Sequence, residues 1–355
     1  MSVTTTIQCK LIPNKYQKTL LKNTMKTFIT TINGIVDDFC LINKTDKRTS
    51  KDVDVMLPSC LKNQCINDAK SVFKKYKQNC LKAKDTSKVK RPVLKKAVAI
   101  WNNQNYKIED DCISFPVFQN GKCKKIYVKM IIPKERKLIL EQAKLGTLRI
   151  TMKNRKMVAQ ISVLAIEKEN DGDNVMGVDL GLKNPAVCYV NNGKIRFVGN
   201  GRKNKYLKRK FRSQRKKLGE AKKLNAIKKS KNKEQRIMRD IDHKISKEVI
   251  DFAVANQVSL IRMEKLTNIR ATARTSRKNE KNLHTWSFYR LAQYIEYKAK
   301  LCGIKVKYVN PAYTSQTCVK CGKKNHAKDR KYQCSCGYHG HRDIVGAINI
   351  TRIAL

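Results

Sequence analysis

Along the early part of the chain, Leu21, Met25, Phe28, Ile32, Ile35 and Phe39 recur every three or four positions, with lysine and threonine between them. That period is the period of an amphipathic helix. A second helix is predicted after Pro58, with Ser59 as its N-cap and a stripe of Leu61, Cys65, Ala69, Val72, Tyr76 and Cys80. The two stripes are expected to pack on each other as a small helical unit, followed by a charged loop over residues 82–90. Before them, residues 4–13 read as one strand, β-branched and ended by Pro13-Asn14. From about residue 93 the pattern turns to strands, clearest over 113–117, 125–132, 147–152 and 157–166. With the N-terminal strand they predict a small β-barrel, and the acidic, glycine-containing residues 167–174 read as a linker.

After the linker the elements form an ordered series. Residues 175–180 are an apolar strand, and 186–190 and 194–198 flank Asn192-Gly193, the signal of a type I′ hairpin. A long basic helical region is predicted over 202–257, then an apolar strand over 258–264. A polar loop, a helix over 286–302, a strand over 304–308 and a last helix over 343–353 complete the series. Three strands, helix, strand, helix, strand, helix is the order of a ribonuclease-H-like domain, with an insertion before the last helix.

A chain of 355 residues has room for two or three domains, and an apolar share of 41% suits a globular protein. Charge changes the picture more. Lysine and arginine number 78 against 28 acids, a formal net charge of +50. Such a field repels itself unless a polyanion neutralises it, and nucleic acid supplies regular negative charge. A membrane is the weaker partner, because no apolar run approaches the roughly 20 residues of a spanning helix. Residues 1–10 lack the apolar core of a signal peptide. The 13 cysteines are scattered, odd in number, and point to a reducing compartment. Cys9, Cys40, Cys60, Cys65, Cys80, Cys112, Cys123, Cys188 and Cys302 read as small core hydrophobes.

Three acids then stand out. Asp179 ends the strand Gly177-Val178-Asp179-Leu180-Gly181, Glu264 ends Leu260-Ile261-Arg262-Met263-Glu264, and Asp343 opens the last helix. Acids at strand ends beside a crevice are where open α/β sheets bind ligands. Three converging carboxylates need a cation, and hard oxygen donors select Mg²⁺ or Mn²⁺. Taken singly, Asp343 also reads as an acid complementing a helix dipole, and Glu264 as a partner of Arg262 or Lys265. Their joint placement favours a phosphodiester-cleaving site.

Two further constellations follow. Cys318-x-x-Cys321 and Cys334-x-Cys336 carry the spacing of a structural Zn²⁺ site, the second pair one residue short, with His326, His339 and His341 as substitutes for one thiolate. From Arg202 to Lys217, ten of sixteen residues are basic and none is acidic, which reads as a phosphate-tracking surface. Arg270, Arg274, Arg277, Lys278 and Lys281 lie on the polar loop after Glu264 and are expected to gate the acidic site. Trp286, Phe288 and Tyr289 read as core.

These residues resemble the TnpB (OrfB) proteins of bacterial insertion sequences, compact relatives of the type V CRISPR effectors. The matching stretches are those around Asp179 and Glu264, Tyr297-Lys298-Ala299, Asn310-Pro311-Ala312-Tyr313-Thr314-Ser315-Gln316-Thr317-Cys318, His341-Arg342-Asp343 and Gly346-Ala347-Ile348-Asn349-Ile350. They cover about half the chain; the first 170 residues match only in layout. The resemblance implies an α+β multidomain fold. Residues 1–14 with 91–170 would form a β-barrel wedge domain, interrupted by a helical recognition unit over 15–90. A ribonuclease-H-like (RuvC) domain would take 171–310 and the last helix, 341–355, with a zinc ribbon inserted over 311–340.

The resemblance also implies an RNA-guided DNA endonuclease encoded by a transposable element. Its partners would be a guide RNA from the transposon end and target double-stranded DNA. A short motif beside the target would be read by the N-terminal domains, and the rest by pairing. Asp179, Glu264 and Asp343 would be the catalytic acids and hold Mg²⁺ or Mn²⁺. Cys318, Cys321, Cys334 and Cys336 would hold structural Zn²⁺. The shortened Cys334-x-Cys336 departs from the family's two-residue spacing and leaves the fourth ligand open between cysteine and histidine. The expected location is the cytoplasm with the nucleoid, or the nucleus for a eukaryotic or viral host; monomer and dimer both fit. A guided DNA-binding protein without cleavage, a strand-joining transposase and a zinc-ribbon RNA-binding protein each fit part of the pattern. The first would be marked by loss of an acid, and the last leaves the placement of the acids unexplained.

Overall fold

The computed structural model describes all residues except 1, 84, 167–168, 231, 267–286, 326, 328 and 354–355, with backbone alone at 2, 3, 87, 134, 135, 165 and 166. It divides into two compact units, residues 2–166 and residues 167–355. Among the described residues no helix is long and apolar enough to cross a membrane.

The first unit is an antiparallel sheet and two long helices around one core. Its strands are β1 (Ser2–Ile12), β2 (Val98–Trp101), β3 (Lys107–Glu109), β4 (Cys112–Gln119), β5 (Lys122–Ile131), β6 (Lys144–Lys153) and β7 (Lys156–Ile166). They lie in the order β2-β6-β7-β1-β5-β4-β3. Strand β1 pairs with β7 along most of its length and with β5 only over its last three residues, so the sheet coils around it. The hydrogen-bond ladder does not close into a barrel, but side chains span the gap. Trp101 on the edge strand β2 donates to the Pro116 carbonyl in β4 at 3.0 Å and packs on Phe115.

Helix α1 (Lys15–Leu41) opens with a reciprocal cap between Asn14 and Gln17, and every residue of its predicted stripe is buried. In α2 (Ser59–Lys82) the N-cap is Pro58, without a side-chain bond, rather than Ser59. Its stripe ends on buried Phe73, which meets Phe39 of α1 edge to face, while Val72, Tyr76 and Cys80 stay half-buried. Both helices share their core with the sheet. A short helix absent from the strand reading, α3 (Lys134–Gln142), follows Pro133 between β5 and β6. Its residues are good helix formers, and among those whose side chains are described only Leu140 is buried.

The second unit is built on a five-stranded sheet of β8 (Asn174–Asp179), β9 (Ala186–Val190), β10 (Ile195–Val198), β11 (Val258–Glu264) and β12 (Lys305–Val309). The order is β10-β9-β8-β11-β12; the first three are antiparallel, and β11 and β12 run parallel to β8. The β9–β10 connection differs from the expected type I′ turn. Gly193 alone takes a positive φ, +91°, and its amide bonds the Val190 carbonyl, giving a three-residue loop with a glycine bulge. The basic region is three helices, α4 (Gly201–Glu220), α5 (Leu224–Lys229) and α6 (Lys233–Ala255), not one. The breaks fall where Lys222 and Asn232 take left-handed conformations. Helix α7 (Phe288–Leu301), the small hairpin β13 (Lys331–Gln333) and β14 (His339–His341), and α8 (Arg342–Arg352) complete the unit.

Helix α8 lies directly on β8. A methyl group at Gly177 would overlap the Ala347 carbonyl and Thr351 hydroxyl and come within 2.8 Å of the Thr351 amide. Gly177→Ala is therefore expected to lower stability by about 3 kcal/mol, measured by urea unfolding, whereas Gly219→Ala, with open space around it, leaves the midpoint unchanged or raised.

Candidate active site and metal centre

Parallel pairing aligns the ends of β8 and β11. Met263 lies opposite Val178, so Asp179 and Glu264 are the next residues on adjacent strands at the same sheet edge. Helix α8 brings Asp343, its second residue, to that edge, where it is buried. Gly346, one turn further, leaves space for Asp179: a Cβ there would stand 3.3 Å from the Asp179 Oδ2.

Asp179 feels the other two acids. Burial, reinforced by the charges of Glu264 and Asp343, pushes the Asp179 carboxyl well above the usual carboxylate range, against the opposing pull of Arg330 and Arg342. Burial also raises Glu264, offset by a hydrogen bond from the Thr314 hydroxyl and by Arg342. Asp343 accepts from the Asn184 side chain at 2.8 Å and pairs with the Arg330 guanidinium. Its own amide is capped by His341 Nδ1 at 3.3 Å. Arg262 does not pair with Glu264; it donates to the Thr351 carbonyl at 2.5 Å.

The strand ends and the helix start thus converge, and a group of three carboxylates, one buried and two half-buried, favours positive charge in its midst. Arg330 and Arg342 supply part of it. Oxygen donors of this kind fit Mg²⁺ or Mn²⁺. Asn184, Thr314 and Arg330, which touch the acids, carried no separate signal in the sequence. Thr314 lies inside the stretch 310–318, and Arg330 falls between the two cysteine pairs. Thr314 is itself buried, with its carbonyl and that of Thr317 both bonded to the Asn349 side chain at 2.7 Å.

Cys318, Cys321, Cys334 and Cys336 bring four sulfurs within 4.8 Å of one another. Cys318 and Cys336 are 3.6 Å apart, Cys321 and Cys334 3.5 Å. Among the described residues no other group of ligating side chains gathers this tightly, and the three acids stand further apart. The short Cys334-x-Cys336 pair reaches the cluster without help from a histidine. Its geometry holds the Cys334 thiol down to about 6, chiefly through the Cys336 amide, a state suited to metal binding. His339 is exposed, His341 caps α8, and His326 lies outside the described residues. Four sulfurs at this spacing fit a tetrahedral zinc site.

Helix α4 presents most of its basic residues to solvent, and Arg215 ties it to Glu234 of α6 at 2.6 Å. Buried Asp242 anchors α7 through Ser287 and Arg290. Arg270, Arg274, Arg277, Lys278, Lys281 and Trp286 lie outside the described residues. Phe288 packs at the edge of the core, but Tyr289, expected there, is exposed.

Two family models match this second unit and the end of the first. Residues 151–270 match a model described as a probable transposase of the OrfB type, and residues 288–350 match the TNB domain of Cas12f1-like proteins. A TnpB-like protein of Methanocaldococcus jannaschii is 39% identical over 127 residues, 35% of this chain and 45% of the relative. A CRISPR-associated endodeoxyribonuclease Cas12f1 of Sulfoacidibacillus thermotolerans is 29% identical over 198 residues, 51% of this chain and 46% of the relative. The alignments therefore span less than half the length of these relatives. A solved structure of a Cas12f1–sgRNA–target DNA complex superposes with a TM-score of 0.72 at 15% identity, covering 99% of both chains, which shows a shared α+β multidomain fold. Over residues 151–270 and 288–350 the chain is thus similar to TnpB (OrfB) proteins and to the Cas12f1 members of the type V CRISPR effectors.

Proposed function

We propose that the chain is an RNA-guided DNA endonuclease encoded by a transposable element, hydrolysing target double-stranded DNA at Asp179, Glu264 and Asp343. The observation that carries this reading is the convergence of those carboxylates from β8, β11 and α8, where burial and then the charges of Glu264 and Asp343 raise Asp179. The strand order around them, three antiparallel strands followed by two parallel ones, supports reading the unit as a ribonuclease-H-like, RuvC-type domain. The names of the relatives, endodeoxyribonucleases among them, support the same reading. In this reading residues 1–14 with 91–170 are the wedge domain, 15–90 the recognition unit, 171–310 with 341–355 the nuclease domain and 311–340 the zinc ribbon. Target DNA and a guide RNA from the transposon end are the partners, and the cell interior, with the nucleoid, is the place of action.

Bound Mg²⁺ or Mn²⁺ would activate a water and stabilise the leaving oxygen of the phosphodiester. The chain's residues do the positioning. Thr314 fixes the rotamer of Glu264, Asn184 fixes Asp343, and Arg330 and Arg342 lower the repulsion among the acids. The lysines and arginines of α4 track phosphates, and the four cysteines close a structural Zn²⁺ site that holds the loops carrying Thr314 and Arg330.

The protein purified from cells carrying the native locus is expected to bring down a discrete RNA and to cut DNA matching that RNA in Mg²⁺. Asp179→Ala should abolish cutting and keep the RNA. Bound RNA without cutting by the wild type would leave a guided binding protein, and absence of both would remove the reading. Thr314→Val is expected to lower metal affinity or cleavage about 10- to 100-fold, read from the Mg²⁺ dependence of the rate. Metal analysis is expected to find one zinc per chain, lost in Cys321→Ala together with the folded ribbon. Replacing Arg209 by alanine should weaken DNA binding equally across sequences and reduce the slope of log affinity against log salt by about 1.

A further inference from the structure

Tyr313 differs from the other aromatic residues around the acidic corner. Its φ is +62°, a left-handed conformation that a bulky residue rarely adopts. The residue is 51% exposed, and the Lys324 ammonium sits over its ring, 3.6 Å from the centroid. The turn is fastened from several sides. The Ala312 amide bonds the Asn310 side chain at 3.0 Å, and the Tyr313 carbonyl accepts from the amides of Gln316 and Thr317, each at 2.9 Å. Lys324 is fastened as well, bridged to Thr317, while the Cys318 amide holds the Lys323 carbonyl at 2.9 Å. Backbone strain that the surroundings over-determine in this way clusters at functional sites.

The next residue is Thr314, whose hydroxyl bonds Glu264. One residue step, about 3.8 Å between Cα atoms, thus separates an exposed aromatic ring from the residue that orients a carboxylate. A half-exposed aromatic ring with a cation over one face brings together the two parts that hold single-stranded nucleic acid: a ring on which a base can stack and a phosphate contact.

We propose that Tyr313 and Lys324 form a nucleotide subsite, in which the ring stacks on an unpaired base of the strand entering the acidic corner and Lys324 meets that strand's backbone. The subsite rests on the nuclease reading, because it requires a single strand at the acids. Stacking of this kind accepts any base, so the subsite sets the register of the strand and not its sequence.

The test is photocrosslinking of the full-length protein, wild type and Asp179→Ala, to oligothymidine carrying one 5-iododeoxyuridine, with adducts located by mass spectrometry. The expected result is an adduct at Tyr313 in both proteins, competed by unlabelled single-stranded DNA and reduced several-fold in Lys324→Ala. Tyr313→Leu, with an unchanged unfolding midpoint, should lose about tenfold in affinity for the oligonucleotide, and Tyr313→Phe should keep it. Adducts confined to other tyrosines such as Tyr206 at saturating DNA would overturn the subsite. An adduct at Tyr313 without guided cleavage would remove the nuclease reading and keep the subsite, and guided cleavage without that adduct would do the reverse.

Discussion

Helix α8 lies against strand β8 so closely that no side chain fits between them at Gly177, and this contact decides where Asp343 stands. The helix crosses the sheet edge at the one height where its second residue meets the ends of β8 and β11. Gly346 repeats the device a turn later, leaving room for the Asp179 carboxylate. With larger residues at these two positions the helix would ride away from the sheet, and Asp343 would leave the other acids. Close backbone approach, not an attraction among the acids, assembles the corner; the acids themselves repel.

That repulsion shapes what surrounds them. Asp343 is held by Asn184 and Arg330, Glu264 by Thr314, and Arg342 bears on both Asp179 and Glu264. Two of these supports come from the segment that carries the cysteines. Thr314 precedes Cys318 and is clamped through Asn349; Arg330 lies between Cys321 and Cys334. The small segment has few apolar residues of its own, with Tyr332 at its centre beside Val345 of α8. A segment so poor in core depends on a cross-link for its shape. The cysteine cluster and the carboxylates are therefore mechanically joined: what fixes the four sulfurs also fixes the side chains that orient the acids.

The first unit solves a different problem. Its long helices each expose a polar face and cannot bury their stripes on each other alone, so both pack into the hollow of the coiled sheet. Trp101 then closes the side that backbone pairing leaves open, burying its ring while its N–H finds the Pro116 carbonyl.

Much of this was legible in the sequence wherever one local pattern had one meaning. The α1 stripe, with six apolar residues at helical period, can bury only as a helix. Two of the three carboxylates stood out because they ended apolar strands and the third because it opened the last helix, and the four cysteines because thiols paired by short gaps suit one ion. Where a pattern had several meanings, tertiary structure chose. Asn192-Gly193 fits two hairpin turns, and the strand register selected the glycine bulge. Residues 202–257 are mostly helix formers, many of them charged, and Gly219, Ser230 and Asn232, the weak ones at the two breaks, are too few to mark those breaks in composition. Tyr289 and Phe288 are alike in sequence, yet only Phe288 meets the core. Asn184, Thr314 and Arg330 are ordinary residues, and one arginine among 78 basic side chains carries no signal of its own. They reach the acids through contacts spanning from 13 to 159 residues of chain. The sequence alone determined which stretches bury and which groups can bind a cation, because hydrophobicity and ligand chemistry belong to single residues. Only the tertiary structure decided which side chains meet, because meeting depends on the packing of α8 on β8 and on where the cysteine segment folds back.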